Sequence, residues 1–102
     1  MKKPFNELNE DAKATYGLNG DTSSKAWLYC TACGRAMEQG ECVVDDAEGS
    51  LHCAYKDCAS EGNLAFESLY GWDAYRQRHG DETADWPETP SMGECYRREG
   101  AR

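Results

Sequence analysis

Six cysteines are the residues of this 102-residue chain whose type and spacing are best suited to chemistry. Four of them form two pairs: two residues separate Cys30 from Cys33, and four residues separate Cys53 from Cys58. A short separation allows one turn to direct both sulfurs at a single point, and thiolates are common ligands of structural zinc. We therefore predict that the two pairs together hold one Zn²⁺ in a closed tetrahedral site.

Other ligand sets stay open at the level of the sequence. Cys42 could replace a member of the second pair, and His52 could take the place of its neighbour Cys53. Four thiolates would also hold iron. Cys95 is expected to take no part in the site. A disulfide framework is typical of exported proteins, and the N-terminal residues of this chain lead into no signal-peptide core.

The composition explains why a metal is expected. Apolar residues make up 39% of the chain and charged residues 29%, and the mean hydropathy is −0.87. So small and polar a chain buries little apolar surface to offset its conformational entropy. Structural zinc supplies roughly 10 kcal/mol of binding free energy, which is comparable to the net stability of a whole domain. No apolar run approaches the roughly 18 residues of a membrane span, so we expect a cytoplasmic protein.

A β-hairpin is predicted to bring the two cysteine pairs together. Two short strands flank residues 46–49, whose composition is typical of a turn. A hairpin with this loop places Cys42 opposite Cys53 and Val44 opposite Leu51, and all four then share one face of the sheet. The apolar residues 26–29 are predicted to form a further strand that leads into the first cysteine pair.

Residues 27–58 resemble the zinc-ribbon family. Cys30, Cys33 and the following Gly34 match the first knuckle of that family, whereas the second pair has a longer spacing and no glycine after Cys58. The resemblance implies a zinc-ribbon-like module, which we place at residues 25–62. Members of the family bind nucleic acid, bind proteins or brace larger domains, so the resemblance implies no single function.

The rest of the chain is expected to flank this module. Residues 1–24 are predicted to be a loosely ordered leader that could hold a short helix capped by Asn6. Residues 63–80 are predicted to be a helix that packs on the module, with Ser68 as its N-cap. Residues 81–102 are predicted to be an extended C-terminal arm, anchored by its aromatic side chains. The predicted fold is therefore small, α+β and metal-stabilised.

Charge and aromatic content favour a protein partner. Eleven basic and nineteen acidic residues give a net charge of −8, which repels a polyanion such as nucleic acid. Aromatic side chains often anchor protein interfaces, and the candidates here are Trp72, Tyr75, Trp86 and Tyr96. We expect a non-catalytic structural-zinc protein that acts as a protein-interaction or accessory subunit. The alternative is a nucleic-acid-binding zinc ribbon that uses basic side chains, namely Arg35, Lys56, Arg76 and Arg78.

Overall fold

Two three-stranded antiparallel sheets and two helices form a small α+β fold in a computed structural model of the chain, which describes residues 2–45, 50–55 and 69–96. The strands are β1 (Lys2–Pro4), β2 (Trp27–Cys30), β3 (Ala36–Glu38), β4 (Val43–Asp45), β5 (Ser50–His52) and β6 (Leu69–Gly71). The helices are α1 (Glu10–Tyr16) and α2 (Trp72–Arg78). Neither helix has the length and hydrophobicity that crossing a bilayer requires.

The first sheet has the strand order β1-β4-β5 and contains the predicted hairpin strands. Val44 pairs with Leu51, so the predicted register is confirmed. Both side chains are buried, because this face of the sheet covers the main core. The predicted turn at residues 46–49 lies outside the described residues.

The second sheet has the strand order β3-β2-β6 and separates two clusters of buried side chains. Side chains alternate between the faces of a strand, so Leu28 and Cys30 of β2 contact the main core, whereas Tyr29 contacts an aromatic cluster. In β3, Met37 contacts the main core and Ala36 contacts the aromatic cluster. The main core joins residues of both sheets, and the cysteine at the end of β2 belongs to it.

The leader is more ordered than the sequence predicts. β1 pairs with β4, Phe5 is completely buried, and its backbone N–H donates to the Cys42 carbonyl over 2.8 Å. The helix begins at Glu10, and Asn9 caps it by accepting from the Ala12 N–H. The predicted cap, Asn6, is therefore wrong, because strand pairing and the burial of Phe5 delay the start of the helix.

A buried glutamine holds the segment that follows α1. The side-chain oxygen of Gln39 accepts from the Leu18 N–H over 2.8 Å. Its amide nitrogen donates to the carbonyls of Asp21 and Ser23, each over 2.9 Å. Gln39 is completely buried, and satisfying its polar atoms requires this segment to keep one conformation.

The helix predicted for residues 63–80 is shorter in the structure. Leu69–Gly71 forms β6, which pairs with β2 so that Leu69 lies opposite Cys30. The helix starts at Trp72, with Gly71 in an extended conformation at the N-cap position. Pairing with an apolar central strand overrides the helical periodicity of these three residues. The predicted N-cap, Ser68, lies outside the described residues.

The C-terminal segment is folded onto the body rather than extended. Thr83 is buried, and its hydroxyl donates to the carbonyls of Arg76 and His79. Further along, Cys95 forms a backbone bridge with Arg35, and the Tyr96 N–H donates to the Gly34 carbonyl over 2.6 Å. The segment therefore returns to the turn that carries the first cysteine pair.

Trp72 is the centre of the aromatic cluster. Its ring stacks on Trp86 at a centroid distance of 5.1 Å and meets Tyr96 edge-on at 4.9 Å. Only 2% of Trp72 is exposed, and its indole N–H donates to the Pro87 carbonyl over 3.1 Å. The structure thus makes Trp72 a core residue and leaves Tyr75, Trp86 and Tyr96 half-buried around it.

Replacing Trp72 tests how much the aromatic cluster contributes to the stability of the fold. We expect Trp72→Ala to lower the free energy of unfolding by about 3 kcal/mol or more, because it leaves a cavity under the stacked rings. Denaturation of the metal-loaded protein by urea measures this loss. Tyr70→Ala is the control, since Tyr70 is 38% exposed, and an equal loss in both variants would contradict the assignment.

Candidate metal centre

Three cysteine thiols converge where the two sheets meet. Cys30 ends β2, Cys33 lies in the turn that follows, and Cys53 comes directly after β5. Their sulfur atoms all lie within 4.8 Å of one another. The Cys33 and Cys53 sulfurs are 3.7 Å apart. The structure therefore positions three of the four predicted ligands to hold a metal ion.

A glycine allows the first pair to form its turn. The backbone of Gly34 has a φ of 73°, a conformation that side-chain-bearing residues rarely adopt. Its N–H donates to the Cys30 carbonyl over 2.7 Å, and the Cys30 N–H donates to the Arg35 carbonyl over 3.1 Å. These bonds fold the chain back on itself and turn both sulfurs to the same side.

The sulfur positions fit a tetrahedral thiolate centre. Sulfurs that lie about 2.3 Å from a tetrahedrally coordinated ion are about 3.8 Å from one another. The 3.7 Å between Cys33 and Cys53 agrees with this separation. A disulfide would need about 2.05 Å, and all three cysteines are free. The donor set suits Zn²⁺ and iron alike, so the three cysteines could hold a metal ion whose identity the geometry does not determine.

Crowding of the thiols opposes their ionisation while no cation is bound. The hydrogen bond with Cys30 is the main cause that raises the pKa of Cys33 to about 12, and burial adds to the rise. Hydrogen bonds with Cys30 and Cys33, together with burial, also raise the pKa of Cys53. A divalent cation would reverse this preference, because thiolates and not thiols are the ligands.

An arginine and a tyrosine lie beside the cluster. The guanidinium of Arg35 is 4.8 Å from the centre of the Tyr55 ring, which is within the range of a cation–π contact. Burial raises the pKa of the Tyr55 hydroxyl, so the ring stays neutral. Arg35 thus provides a positive charge near a site whose thiolates would carry a net negative charge.

The other predicted ligands are placed differently. Cys58 lies outside the described residues. Cys42 is completely buried in the main core, with its sulfur 3.8 Å from the Glu38 carbonyl, and burial raises its pKa to about 12. His52 is buried on β5. Among the described residues, the thiol cluster includes neither Cys42 nor His52.

Cys95 lies closer to the site than the sequence indicates. Its exposed sulfur is 3.7 Å from the Cys33 carbonyl oxygen. It does not belong to the group of three sulfurs that the described residues form. No spacing pattern links residue 95 to the first pair, because the return of the C-terminal segment alone brings them together.

Comparison with known proteins identifies no relative: no protein-family model, no curated protein and no solved structure matches this chain. The assignment of a metal centre therefore depends on the thiol geometry itself.

Single cysteine variants should distinguish the cysteines that bind the metal from those that only lie close to it. We expect Cys33→Ser to lose the bound metal, because an incomplete thiolate set holds the ion far more weakly. Cys95→Ser should keep its metal, since its sulfur is outside the cluster. Elemental analysis of each purified variant measures the metal content.

Cys42→Ala provides a matched control for burial. It should lower the free energy of unfolding by removing a buried side chain, yet leave the metal content unchanged. Full metal in Cys33→Ser, or loss of metal in Cys95→Ser, would contradict the ligand assignment.

Metal binding should release protons and strengthen as the pH rises. Raised pKa values keep the thiols of Cys33 and Cys53 protonated before binding, so loading one divalent ion should release at least two protons. Each further cysteine ligand that is protonated before binding should add one proton. Calorimetric titration in buffers of different ionisation enthalpy counts these protons. Metal affinity that does not change with pH would contradict thiolate ligation.

Proposed function

We propose that this chain is a structural-zinc protein in which Cys30, Cys33, Cys53 and Cys58 bind one Zn²⁺. The observation that carries the proposal is the convergence of three sulfurs from two separate segments of the chain. Cys58 is proposed as the fourth ligand from its spacing to Cys53 alone. Zinc is favoured over iron because a closed four-thiolate site is a common form of structural zinc.

A stabilising role for the ion agrees with the architecture. Cys30 ends the central strand of one sheet, and Cys53 follows the edge strand of the other. Metal–sulfur bonds would therefore tie the two sheets together at the end where they meet. Four thiolates would leave no coordination position for a substrate, so the proposed function is non-catalytic. Free thiols are typical of a reducing compartment, and we propose the cytoplasm.

We also propose that the protein acts by binding another protein, as an interaction or accessory subunit. Support comes from the surface around the aromatic cluster, where Trp86 and Tyr96 are half-buried. The Tyr96 hydroxyl accepts from the Ser91 N–H over 2.8 Å, which ties the backbone that precedes Met92 to the Tyr96 side chain. Met92 is 44% exposed. Aromatic residues and methionine are enriched at protein interfaces.

Nucleic-acid binding receives less support from the basic residues. Arg35 is engaged with the Tyr55 ring, and Arg76 lies 3.6 Å from Asp73 in an ion pair. Neither charge is fully available to a phosphate. The net charge of −8 adds long-range repulsion. A protein partner is therefore the function that we propose.

Site-specific photocrosslinking should test the interaction surface. We expect a photoreactive amino acid at position 92 to give one discrete adduct with another protein in cells of the native host, because this exposed apolar position would be covered by the partner. The same probe at the exposed Lys25 is the control. Adducts that are absent, or that are identical at positions 92 and 25, would contradict the proposed surface.

A further inference from the structure

A cleft lies between β6, α2 and the short turn Leu18–Gly20. Its volume is about 780 Å³, which is within the range of small-molecule sites. Among the described residues, its lining includes Thr31 of the cysteine turn but none of the three clustered cysteines. The cleft therefore borders the thiol cluster without sharing its ligands.

The charge of the cleft is opposite to that of the whole chain. The protein has nineteen acidic residues and a net charge of −8, yet none of the described residues that line the cleft is an aspartate or a glutamate. Arg78 and His79 lie at one end of it. A local positive potential on an acidic protein favours a small anion over a polyanion, because each further negative charge meets the repulsion of the whole molecule.

Arg78 supplies a cation that is not neutralised within the described structure. Its side chain is exposed, and no described residue forms an ion pair with it. His79 differs, because its Nδ1 lies 3.2 Å from a carboxylate oxygen of Glu82. One permanent charge is therefore available. A guanidinium offers two parallel N–H donors that match the two oxygens of a carboxylate.

The rest of the described lining includes aromatic and apolar side chains. Tyr70 is 38% exposed, and its ring centre is 5.8 Å from that of Tyr75. Leu18 and Leu69 also line the cleft. Burial raises the pKa of the Tyr75 hydroxyl, which keeps that ring neutral. An aromatic or aliphatic group of a ligand could pack against these side chains while its anionic end reaches Arg78.

We propose that this cleft binds ligands that join one aromatic or apolar group to one carboxylate. Arg78 binds the carboxylate, and Tyr70, Leu18 and Leu69 contact the apolar group. Such a ligand could be a free aromatic acid or the C-terminal residue of a peptide, since both present the same chemistry. The cleft is too large for a single ion, and its one available cation matches one negative charge.

Binding of N-acetylphenylalanine, compared with its uncharged amide, tests this proposal. Chemical shifts of the backbone amides of the metal-loaded, ¹⁵N-labelled protein report where and how tightly each compound binds. We expect shifts at β6 and α2, and about tenfold tighter binding of the acid, because a charge-assisted hydrogen-bond pair is stronger than the neutral hydrogen bonds that the amide can form. The acid and amide forms of acetyl-Gly-Gly-Phe form the second arm. Tighter binding of this longer acid indicates a peptide C-terminus, and equal binding indicates a free acid.

Variants identify the groups responsible. Arg78→Gln should remove the preference for the acid, whereas Lys25→Gln changes the net charge equally and should retain it. Tyr70→Ala should weaken acid and amide alike. Metal content and the dispersion of the spectra show that each variant remains folded. Absence of shifts at millimolar ligand, equal affinity for acid and amide, or an acid preference that survives Arg78→Gln would overturn the proposal and leave the proposed metal function untouched.

Discussion

The approach of three thiols to one point is the constraint on which the rest of the structure depends. Cys30, Cys33 and Cys53 lie within 4.8 Å of one another, and hydrogen bonds with Cys30 raise the pKa values of both Cys33 and Cys53. The arrangement becomes favourable for thiolates when a cation is shared among them. Because Cys30 ends β2 and Cys53 directly follows β5, the cluster also brings the ends of these two strands together. In a chain with so few apolar residues, a shared cation would contribute stability that the core alone supplies in a larger domain.

The central strand β2 connects the thiol cluster to both clusters of buried side chains. One of its faces carries Leu28 and Cys30 into the main core, and the other carries Tyr29 into the aromatic cluster. Trp72 and the rings around it therefore pack against the face of β2 that lies opposite the main core. The C-terminal segment adds a further support, because its backbone bonds to Gly34 and Arg35 within the cysteine turn.

Stability and binding are assigned to different parts of the molecule. The thiol cluster and Trp72 are buried or half-buried, and we assign them to the maintenance of the fold. The proposed partner surface near Met92 and the proposed cleft beside Arg78 have exposed side chains that the fold does not use. This division explains how a small acidic protein could keep a local positive site: the two cores hold β6 and α2 in place without using the charge of Arg78.

The sequence by itself determined the features that depend on short-range geometry. The spacing of Cys30 and Cys33 and the following glycine predicted the turn, and the alternation of residues predicted that Val44 lies opposite Leu51. These predictions hold because turn geometry and side-chain alternation are properties of a few consecutive residues.

Only the tertiary structure decided the features that depend on residues distant in sequence. Leu69–Gly71 has a helical pattern but forms a strand, since β2 offers backbone partners there. Phe5 and Gln39 order a segment that looks flexible, because their partners lie elsewhere in the chain. Cys95 meets the cysteine turn, and Arg78 faces the same cleft as Leu18, for the same reason. A local sequence pattern does not specify which distant backbone group or side chain will contact a residue. These contacts are determined only when the whole chain packs.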